Sequence, residues 1–301
     1  MSNILITGGT GYIGSYLIDN LSSYSITIAD NMFTQRYCSL FNLPINVKFI
    51  ETAFENLTVD FLNNFDTVIH LAGIIDAANS FNYKDDVQRI NVDLTKLFFQ
   101  KIDQSRVKLL IFPSSTSVYG KAINIMYEDD ASAVNPQSPY AESKVAIEKF
   151  LINNNIQVPY IIPRLGTIFG SSKGWRNHVA INKFCFQAAH GQPLTVWKDA
   201  LDFHRPYLGL EDALSGIRLC LNGELPLNNL YNVLTGNYKL SYIIEVIKGH
   251  LPDTKINYVD TPLLNQFQYE VSDDRIRKYG YYNKTSIEAG IKDTLKMLGA
   301  I

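Results

Sequence analysis

The stretch Asn3-Ile4-Leu5-Ile6-Thr7-Gly8-Gly9-Thr10-Gly11-Tyr12-Ile13-Gly14 decides the fold. Its first five residues form a short apolar run of the kind that builds a buried parallel strand. The glycines that follow permit a tight turn and bring backbone N–H groups close to a ligand, and the amphipathic segment Ser15–Leu21 predicts a helix. A helix N-terminus favours phosphate groups, and the glycines have both the strand before them and the helix after them. The stretch therefore predicts a site for the pyrophosphate of a dinucleotide.

Further apolar runs along the first half of the chain extend this pattern. We expect strands at Ser25–Ala29, Val47–Ile50, Thr67–Leu71, Leu109–Phe112 and Tyr160–Leu165. A helix is predicted around Asp86–Asp103, between the fourth and fifth strands. Because strands that alternate with helices imply right-handed crossovers, the sequence predicts an α/β fold built on a doubly wound parallel sheet of the Rossmann type.

Residues with a role in binding follow several of these strands. In open parallel sheets, ligands bind beyond the carboxyl ends of the strands, where Gly8, Asp30, Ala72 and Ser115 are expected to converge. Asp30, at the tip of the second strand, can accept hydrogen bonds from both hydroxyls of an adenosine ribose and repels a 2′-phosphate. The sequence therefore favours NAD over NADP as the cofactor.

Tyr140 and Lys144 are four residues apart, so they share one face of a helix. The ammonium group is expected to favour the phenolate form of the tyrosine, whose pKa is about 10 when unperturbed. A second cation, in a bound oxidised nicotinamide, would bring the phenol into the range of a general base. The same pair also occurs on many solvated helices, so its functional interpretation depends on the glycine-rich stretch upstream.

Five motifs occur in a fixed order along the first half of the chain. They are Thr7-Gly8-x-x-Gly11-x-x-Gly14, Asp30-Asn31, His70-Leu71-Ala72-Gly73, Ser114-Ser115-x-x-Val118-Tyr119-Gly120 and Tyr140-x-x-x-Lys144. With these motifs the chain resembles an extended short-chain dehydrogenase/reductase of the NAD-dependent nucleotide-sugar epimerase/dehydratase family, similar to UDP-glucose 4-epimerase-like enzymes. The second half also follows the family plan.

The resemblance implies hydride transfer at a sugar carbon, C4, of a nucleotide sugar. Tyr140 is then the base, Ser115 orients the same sugar oxygen, and Lys144 holds the nicotinamide ribose. The implied cofactor-binding residues are Gly8, Gly11, Tyr12, Ile13, Gly14, Asp30, Asn31, Leu71, Ala72, Gly73, Asn91, Tyr140 and Lys144.

The family plan also predicts two domains. Residues 1–165 are expected to form the NAD-binding domain, with returning segments near 207–235, and residues 166–301 are expected to form mainly a smaller substrate-binding lobe. The candidate substrate-binding residues are Thr116, Thr167, Arg176, Thr195, Trp197 and Arg205.

Three of these candidates have specific expected roles. Trp197 either stacks on the nucleotide base or packs into the core of the lobe. Arg205 matches the family arginine that grips the diphosphate, because a guanidinium fork suits phosphate oxygens, whereas a surface salt bridge is the alternative. Arg176 lies in a polar, cationic stretch that is expected to form a loop over an anionic ligand.

The chain departs from the family pattern at three places. Ala53 replaces an Asp that usually holds the adenine amino group, and Thr167 replaces an Asn that usually touches the sugar nucleotide. The stretch 265–270 lacks the usual second diphosphate arginine. These changes leave the redox residues intact and the identity of the substrate open.

The residues after Ser115 bear on which reaction follows the oxidation. Family dehydratases carry Asp-Glu there, where this chain has Thr116 and Ser117, and the epimerising reductases use a cysteine near Ser117 that is absent. Asp30 discourages NADPH-dependent reduction. A 4-epimerase is favoured, and the alternative is a 4-dehydrogenase or 4-keto reductase with net NAD(H) turnover. A non-catalytic NAD-binding sensor is a remote alternative, since the chain keeps its serine, tyrosine and lysine.

Composition and charge exclude several other classes of protein. Lys+Arg number 27 and Asp+Glu 29 among 301 residues, without a basic block, so no nucleic-acid polymer is expected as a partner. No apolar run approaches the ~20 residues of a membrane span, and no leader precedes the first strand. The cysteines Cys38, Cys185 and Cys220 lack metal spacing, which predicts no metal and a reduced, cytoplasmic protein. A homodimer is expected by analogy with the family.

Overall fold

The computed structural model describes residues 2–77, 79–120, 124–153, 155–260 and 268–301. The strands in this part of the chain are β1 (Asn3–Thr7), β2 (Ser25–Asp30), β3 (Val47–Glu51), β4 (Thr67–His70), β5 (Leu109–Ile111), β6 (Ser114–Ser115), β7 (Ile125–Met126), β8 (Tyr160–Leu165), β9 (Thr167–Phe169), β10 (Leu194–Trp197), β11 (His204–Gly209), β12 (Asn229–Val233), β13 (Gly236–Lys239), β14 (Ile256–Val259) and β15 (Glu270–Val271). The α-helices are α1 (Tyr12–Asn20), α2 (Val59–Leu62), α3 (Lys84–Val87), α4 (Thr95–Asp103), α5 (Pro139–Ile152), α6 (Ala180–Ala189), α7 (Leu210–Leu221), α8 (Leu240–His250), α9 (Asp274–Arg277) and α10 (Ile287–Met297).

The largest sheet is parallel throughout and has the strand order β12-β8-β5-β4-β1-β2-β3, with β6 also paired to β8. β1 lies in the middle, where Ile4 is opposite Ile26 of β2 and Thr67 of β4. The strand order reverses beside β1, as in a doubly wound fold. The predicted α/β fold class is confirmed.

Apolar side chains of β1 supply both faces of this sheet. Ile4 and Ile6 pack on one face with Leu17 of α1 and Ile217 of α7. Leu5 points to the other face, where its cluster includes helices α4 and α5. Because successive side chains of a strand point to opposite faces, a continuous apolar run is what a sheet covered on both sides requires.

The second half of the chain divides between the large sheet and a smaller lobe. Strands β13, β11 and β9 form one small sheet and β10 pairs with β14, around a third core that contains Phe169, Ile181 and Ile243. β12 returns to the edge of the large sheet beside β8, and α7 packs against α1. The predicted domain division, with a boundary at residue 165 and returning segments near 207–235, stays a prediction.

Two predicted helices differ in detail from those observed. The first begins at Tyr12 rather than Ser15, because Gly11 already has the extended backbone of an N-cap. The helix predicted over Asp86–Asp103 contains a π-helical segment, Gln88–Leu94, between α3 and α4. Such a segment changes the direction of side chains on the helix and is frequent at functional sites.

Candidate active site

The glycine-rich turn places β1, α1 and the end of β4 in close contact. Gly8 has φ +70°, and a Cβ atom there would lie 2.6 Å from the backbone nitrogen of Ala72. A Cβ atom at Gly14 would lie 2.5 Å from the carbonyl oxygen of Gly9. Gly11 is the N-cap of α1 and has no side chain that could accept hydrogen bonds. The N–H groups in the first turn of α1 can therefore donate to a bound ligand.

Asp30 lies at the end of β2 beside this turn. Its Oδ2 accepts hydrogen bonds from the backbone N–H and the hydroxyl of Thr10, at 3.1 and 2.6 Å, and its Oδ1 accepts from the N–H of Met32 at 2.9 Å. A carboxylate has about four acceptor positions, so capacity remains for ribose hydroxyls. The next residue, Asn31, is exposed and its Oδ1 accepts from the N–H of Phe33 at 3.1 Å.

Asn91 holds the loop that follows β4. Its side chain exchanges two hydrogen bonds of 2.8 Å with the backbone of Ile74, and its Nδ2 lies 3.3 Å from the hydroxyl of Ser143 on α5. Both polar atoms of the amide are thus used within the protein. Asn91 therefore positions the backbone next to Leu71–Gly73, and its contact with the cofactor stays a prediction.

The three candidate catalytic residues lie together. Ser115 ends β6, and Tyr140 lies in the first turn of α5, which begins with Pro139 after the N-cap Ser138. Ser115 and Tyr140 line the same cavity, and the Ser115 hydroxyl is close enough to the Tyr140 phenol to lower the pKa of the phenol. The Nζ atom of Lys144 lies 5.9 Å from the centre of the Tyr140 ring.

The pKa of Tyr140 differs from the expectation. Burial raises its pKa, and the charge of Arg176 and the hydrogen bond from Ser115 only partly oppose this effect. Lys144 instead donates to the carbonyl oxygen of Pro113 at 2.9 Å, and burial lowers its own pKa to about 8, against the charge of Glu148. In the ligand-free protein, burial of the Tyr140 phenol therefore outweighs the charge of Arg176, and the effect of Lys144 on the pKa of Tyr140 stays a prediction.

A buried ion pair fixes α5 to the sheet. Arg164 of β8 forms two hydrogen bonds with Glu148, of 3.0 and 2.7 Å, and Ser114 donates to the same carboxylate at 2.5 Å. The Nη1 of Arg164 also donates to the Tyr119 hydroxyl, which donates to Asn232 of β12, both at 2.8 Å. This network holds the helix of Tyr140 against the strand of Ser115. The sequence reasoning did not identify it.

The three candidate catalytic residues line a cavity of about 570 Å³, which lies between the large sheet and the small lobe. That volume is typical of small-molecule sites. All the predicted catalytic and substrate-binding residues line it: Ser115, Tyr140, Lys144, Thr116, Thr167, Arg176, Thr195, Trp197 and Arg205. Among the cofactor candidates, Ile13 and Leu71 also line it, whereas the glycines Gly8, Gly11, Gly14 and Gly73 and the residues Tyr12, Asp30, Asn31, Ala72 and Asn91 do not.

Tyr269 is a cavity residue that the sequence reasoning missed. Its N–H donates to the carbonyl oxygen of His204 at 3.2 Å, and the following strand β15 pairs with β7. Its ring lies under the guanidinium of Arg205, at 5.7 Å, and its hydroxyl lies 3.3 Å from that of Thr116. Tyr269 thus connects the candidate diphosphate residue with the catalytic end of the cavity. Of the stretch 265–270, residues 265–267 lie outside the described residues.

The lobe also presents β10 to the cavity. Gln187 of α6 receives a hydrogen bond from the N–H of Thr195 at 3.2 Å and donates to its hydroxyl at 3.1 Å. Trp197 is partly buried against the third core and also lines the cavity. The two roles considered for Trp197, core packing and stacking on a base, are therefore compatible.

Two further searches concern only the part of the chain that the structure describes. It contains no group of three or more His, Cys, Asp or Glu side chains placed to hold a metal ion. None of its helices has the length and apolar character needed to cross a bilayer.

Comparison with known proteins identifies the family. A model described as the NAD dependent epimerase/dehydratase family matches residues 4–233. The chain belongs to this family. The resemblance inferred from the five motifs is confirmed, and so is NAD as the family's cofactor.

Individual relatives of the chain are distant. It is 28% identical over 321 positions to the trifunctional UDP-glucose 4,6-dehydratase/UDP-4-keto-6-deoxy-D-glucose 3,5-epimerase/UDP-4-keto-L-rhamnose-reductase of Arabidopsis thaliana, covering 97% of this chain and 46% of that protein. It is 26% identical over 317 positions to dTDP-D-glucose 4,6-dehydratase of Bos taurus, covering 97% of this chain and 87% of that protein. The chain thus spans about half the length of the first relative.

A solved structure shares the fold over its whole length. UDP-glucuronic acid 4-epimerase from Bacillus cereus, in complex with UDP-glucuronic acid and NAD, matches with a TM-score of 0.89 and 21% identity, covering 99% of both chains. The match shows that the large parallel sheet and the small lobe occur together in one known architecture.

Proposed function

We propose that the protein is an NAD-dependent nucleotide-sugar 4-epimerase. The observation that carries the proposal is that Ser115, Tyr140 and Lys144, one helical turn after Tyr140, line one cavity between the sheet and the lobe. Several relatives and the Bacillus cereus protein are sugar-nucleotide enzymes, which supports this class of reaction.

The residues present fit the NAD that the family requires. The first turn of α1 offers backbone N–H groups to a pyrophosphate, and Asp30 keeps acceptor capacity for the adenosine ribose. Lys144, beside Tyr140, would hold the nicotinamide ribose. When bound there, NAD supplies the acceptor and later the donor of a hydride.

Tyr140 and Ser115 handle the proton of the sugar hydroxyl. In the proposed mechanism the phenol oxygen of Tyr140 takes the proton from the C4 hydroxyl, while Ser115 hydrogen-bonds the same oxygen. Burial raises the pKa of Tyr140 in the ligand-free protein, and the positive charge of a bound oxidised nicotinamide would favour the phenolate. Tyr140 returns the proton after the 4-keto sugar has turned its other face to the cofactor.

The lining residues argue against dehydration, although several relatives are named dehydratases. Loss of water across C5 and C6 requires a base and an acid besides Tyr140. Asp76 is the one carboxylate among the described lining residues. Burial alone would raise its pKa, but hydrogen bonds from Asn79 and the charges of Arg176 and His178 lower it. The lowered pKa makes Asp76 a poor proton donor, and the hydroxyls of Thr116 and Ser117, where family dehydratases carry Asp-Glu, supply no strong acid in its place.

Net oxidation to a released 4-ketone, or net reduction of one, is the second candidate. The cavity chemistry is the same for both candidates, because the first hydride transfer is shared. They differ in whether NADH stays bound until the second transfer. The proposed diphosphate and base contacts, Arg205 and Trp197, serve either reaction equally.

Product analysis separates these candidates. The purified protein is incubated with UDP-, dTDP-, GDP- and CDP-sugars, and NADH absorbance and NMR of the sugar are followed together. We expect conversion to the C4 epimer without net NADH. Stoichiometric NADH with a ketone product would establish the dehydrogenase, and loss of the C6 hydroxyl would establish dehydration. Absence of any reaction, with NAD bound, would support the sensor.

The quaternary structure and location also belong to this proposal. We infer a homodimer from family analogy alone and a cytoplasmic protein from the cysteine usage. Sedimentation of the purified chain measures the first, and fractionation of cells measures the second.

A further inference from the structure

One segment of the small lobe lies directly on the glycine-rich turn of the first domain. We call this segment, residues 170–176, the strap. The Ser172 hydroxyl donates to the carbonyl oxygen of Tyr12 at 2.9 Å, and the N–H of Gly174 donates to the hydroxyl of Ser15 at 2.9 Å. The strap therefore contacts the same first turn of α1 that is placed to bind phosphate.

Gly174 brings the two backbones into direct contact. A Cβ atom at this residue would lie 2.5 Å from the carbonyl oxygen of Gly11 and 2.8 Å from that of Thr10. Both near atoms belong to the backbone and cannot move aside as a flexible side chain would. The approach thus depends on the absence of a side chain at Gly174.

Both sides of the strap are anchored. The Tyr12 phenol, which the sequence placed among the cofactor residues, donates to the carbonyl oxygen of Gly170 at 2.6 Å. Asn182 of α6 is fully buried; its Nδ2 donates to the Tyr12 hydroxyl at 2.9 Å and to the carbonyl oxygen of Arg176 at 3.1 Å. Lys173 donates to Asp19 at 2.8 Å. The lobe and the nucleotide domain are therefore joined at the phosphate turn.

The strap ends in an arginine that lies near a second one. Arg176 donates to the carbonyl oxygen of Ile75 at 2.7 Å. The Nη1 of Arg36 lies 3.9 Å from the point that a Cβ atom added at Gly11 would occupy. Burial and the charge of Arg176 lower the pKa of Arg36, which Asp30 only partly offsets. Two guanidinium groups near a phosphate turn repel each other until an anion lies between them.

We propose that Arg36 and Arg176 both bind the pyrophosphate of NAD, and that the strap keeps the dinucleotide bound between the two hydride transfers. The first clause depends only on the NAD dependence of the family. The second clause rests on the proposed epimerase, which must retain NADH until the keto sugar has turned. The assignment of Arg176 to the cofactor extends its predicted role as a residue of the substrate cavity.

Binding of NAD alone tests the arginine pair. Arg36→Gln and Arg176→Gln are each expected to weaken NAD binding roughly tenfold to hundredfold in calorimetric titrations, because each loses a charge-assisted hydrogen bond. The matched control is Arg218→Gln, since Arg218 donates to the carbonyl oxygen of Asn20 at the far end of α1. NAD affinity unchanged in both test variants would overturn the proposal, as would an equal loss in the control.

The rate of cofactor loss tests the strap. Gly174→Ala is expected to accelerate NAD dissociation at least tenfold, whereas Gly249→Ala, where a Cβ atom meets nothing within 4 Å, leaves it unchanged. If Gly174→Ala fails to fold, Ser172→Ala removes a single strap hydrogen bond and is expected to act in the same direction. Unchanged dissociation in the folded strap variant would overturn the retention role.

The arginine and strap tests can succeed or fail independently of the test for epimerase activity. If no sugar is epimerised but the arginine variants lose NAD affinity, the pyrophosphate contacts stand and the epimerase does not. If epimerisation is found and the strap variants release NADH into solution during turnover, both stand. If epimerisation is found and those variants release none, the strap has no role in retention.

Discussion

The two walls of the cavity are built in different ways. The sheet wall carries Ser115, Tyr140 and Lys144, which come from one strand end and one helix, held by the buried pair of Glu148 and Arg164. The lobe wall is assembled from short strands whose residues lie far apart in the chain. We infer that the sheet wall sets the reaction type and that the lobe wall, which includes the family departure Thr167, selects the substrate.

The largest expected effect is on the sheet wall. Tyr140→Phe removes the proposed base but keeps the ring, so turnover should fall by roughly 10²–10⁴-fold while NAD affinity changes only a few-fold. Turnover of the nucleotide sugar and calorimetric NAD binding are the measurements. Retention of most activity would remove Tyr140 from the role of base.

Substitution of Arg205 on the lobe wall should affect substrate binding rather than turnover. Arg205→Gln is expected to raise the KM for the nucleotide sugar by roughly 10–100-fold with little change in kcat, because a charge-assisted contact to phosphate is lost. Arg205→Lys keeps the charge but not the fork, and should recover only part of the affinity. A fall in kcat at unchanged KM would place Arg205 with the catalytic residues instead.

Burial of the Lys144 ammonium on the sheet wall makes the stability of the folded protein depend on pH. Burial lowers its pKa to about 8, below the ~10.4 of an unfolded chain, so the unfolded state binds more protons between these values and stability rises with pH there. At pH 7, Lys144→Met should therefore raise the melting temperature by roughly 2–6 °C while activity is lost. The difference should shrink as the pH rises from 8 towards 10. A lower melting temperature in the variant at pH 7 would contradict this account.

The smallest effect is expected at Tyr269. Tyr269→Phe keeps the ring under Arg205 and loses only the hydroxyl near Thr116, so kcat should fall about 2–10-fold at a nearly constant KM. Tyr269→Leu also removes the ring and should raise KM in addition. Identical kinetics for the two variants would show that the hydroxyl and the ring have no separate roles.

Local spacing made much of the sheet wall predictable. The glycine-rich turn, Asp30 and the Tyr140–Lys144 pair are recognisable because their geometry depends on residues within a few positions of one another. The pKa of Tyr140 was not predictable in this way, since burial and the charge of Arg176, from the lobe, decide it.

The contacts that position the site could not be predicted from the sequence, because each joins residues that are not neighbours in the chain. Asn91 meets Ile74, Arg164 meets Glu148, and Tyr269 meets Thr116 across 153 positions. Nothing about a single tyrosine near residue 270 indicates that the fold will place its hydroxyl beside that of Thr116.

By itself, the sequence determined the parallel sheet and the candidates for the phosphate turn and the redox residues, because strand periodicity, glycine conformation and helical spacing are local properties of the chain. Only the tertiary structure decided which side chains of the lobe meet those residues, how the strap covers α1, and how far burial shifts the pKa of each ionisable group. Those features depend on desolvation and on contacts between elements, and both come into existence only when the chain has folded.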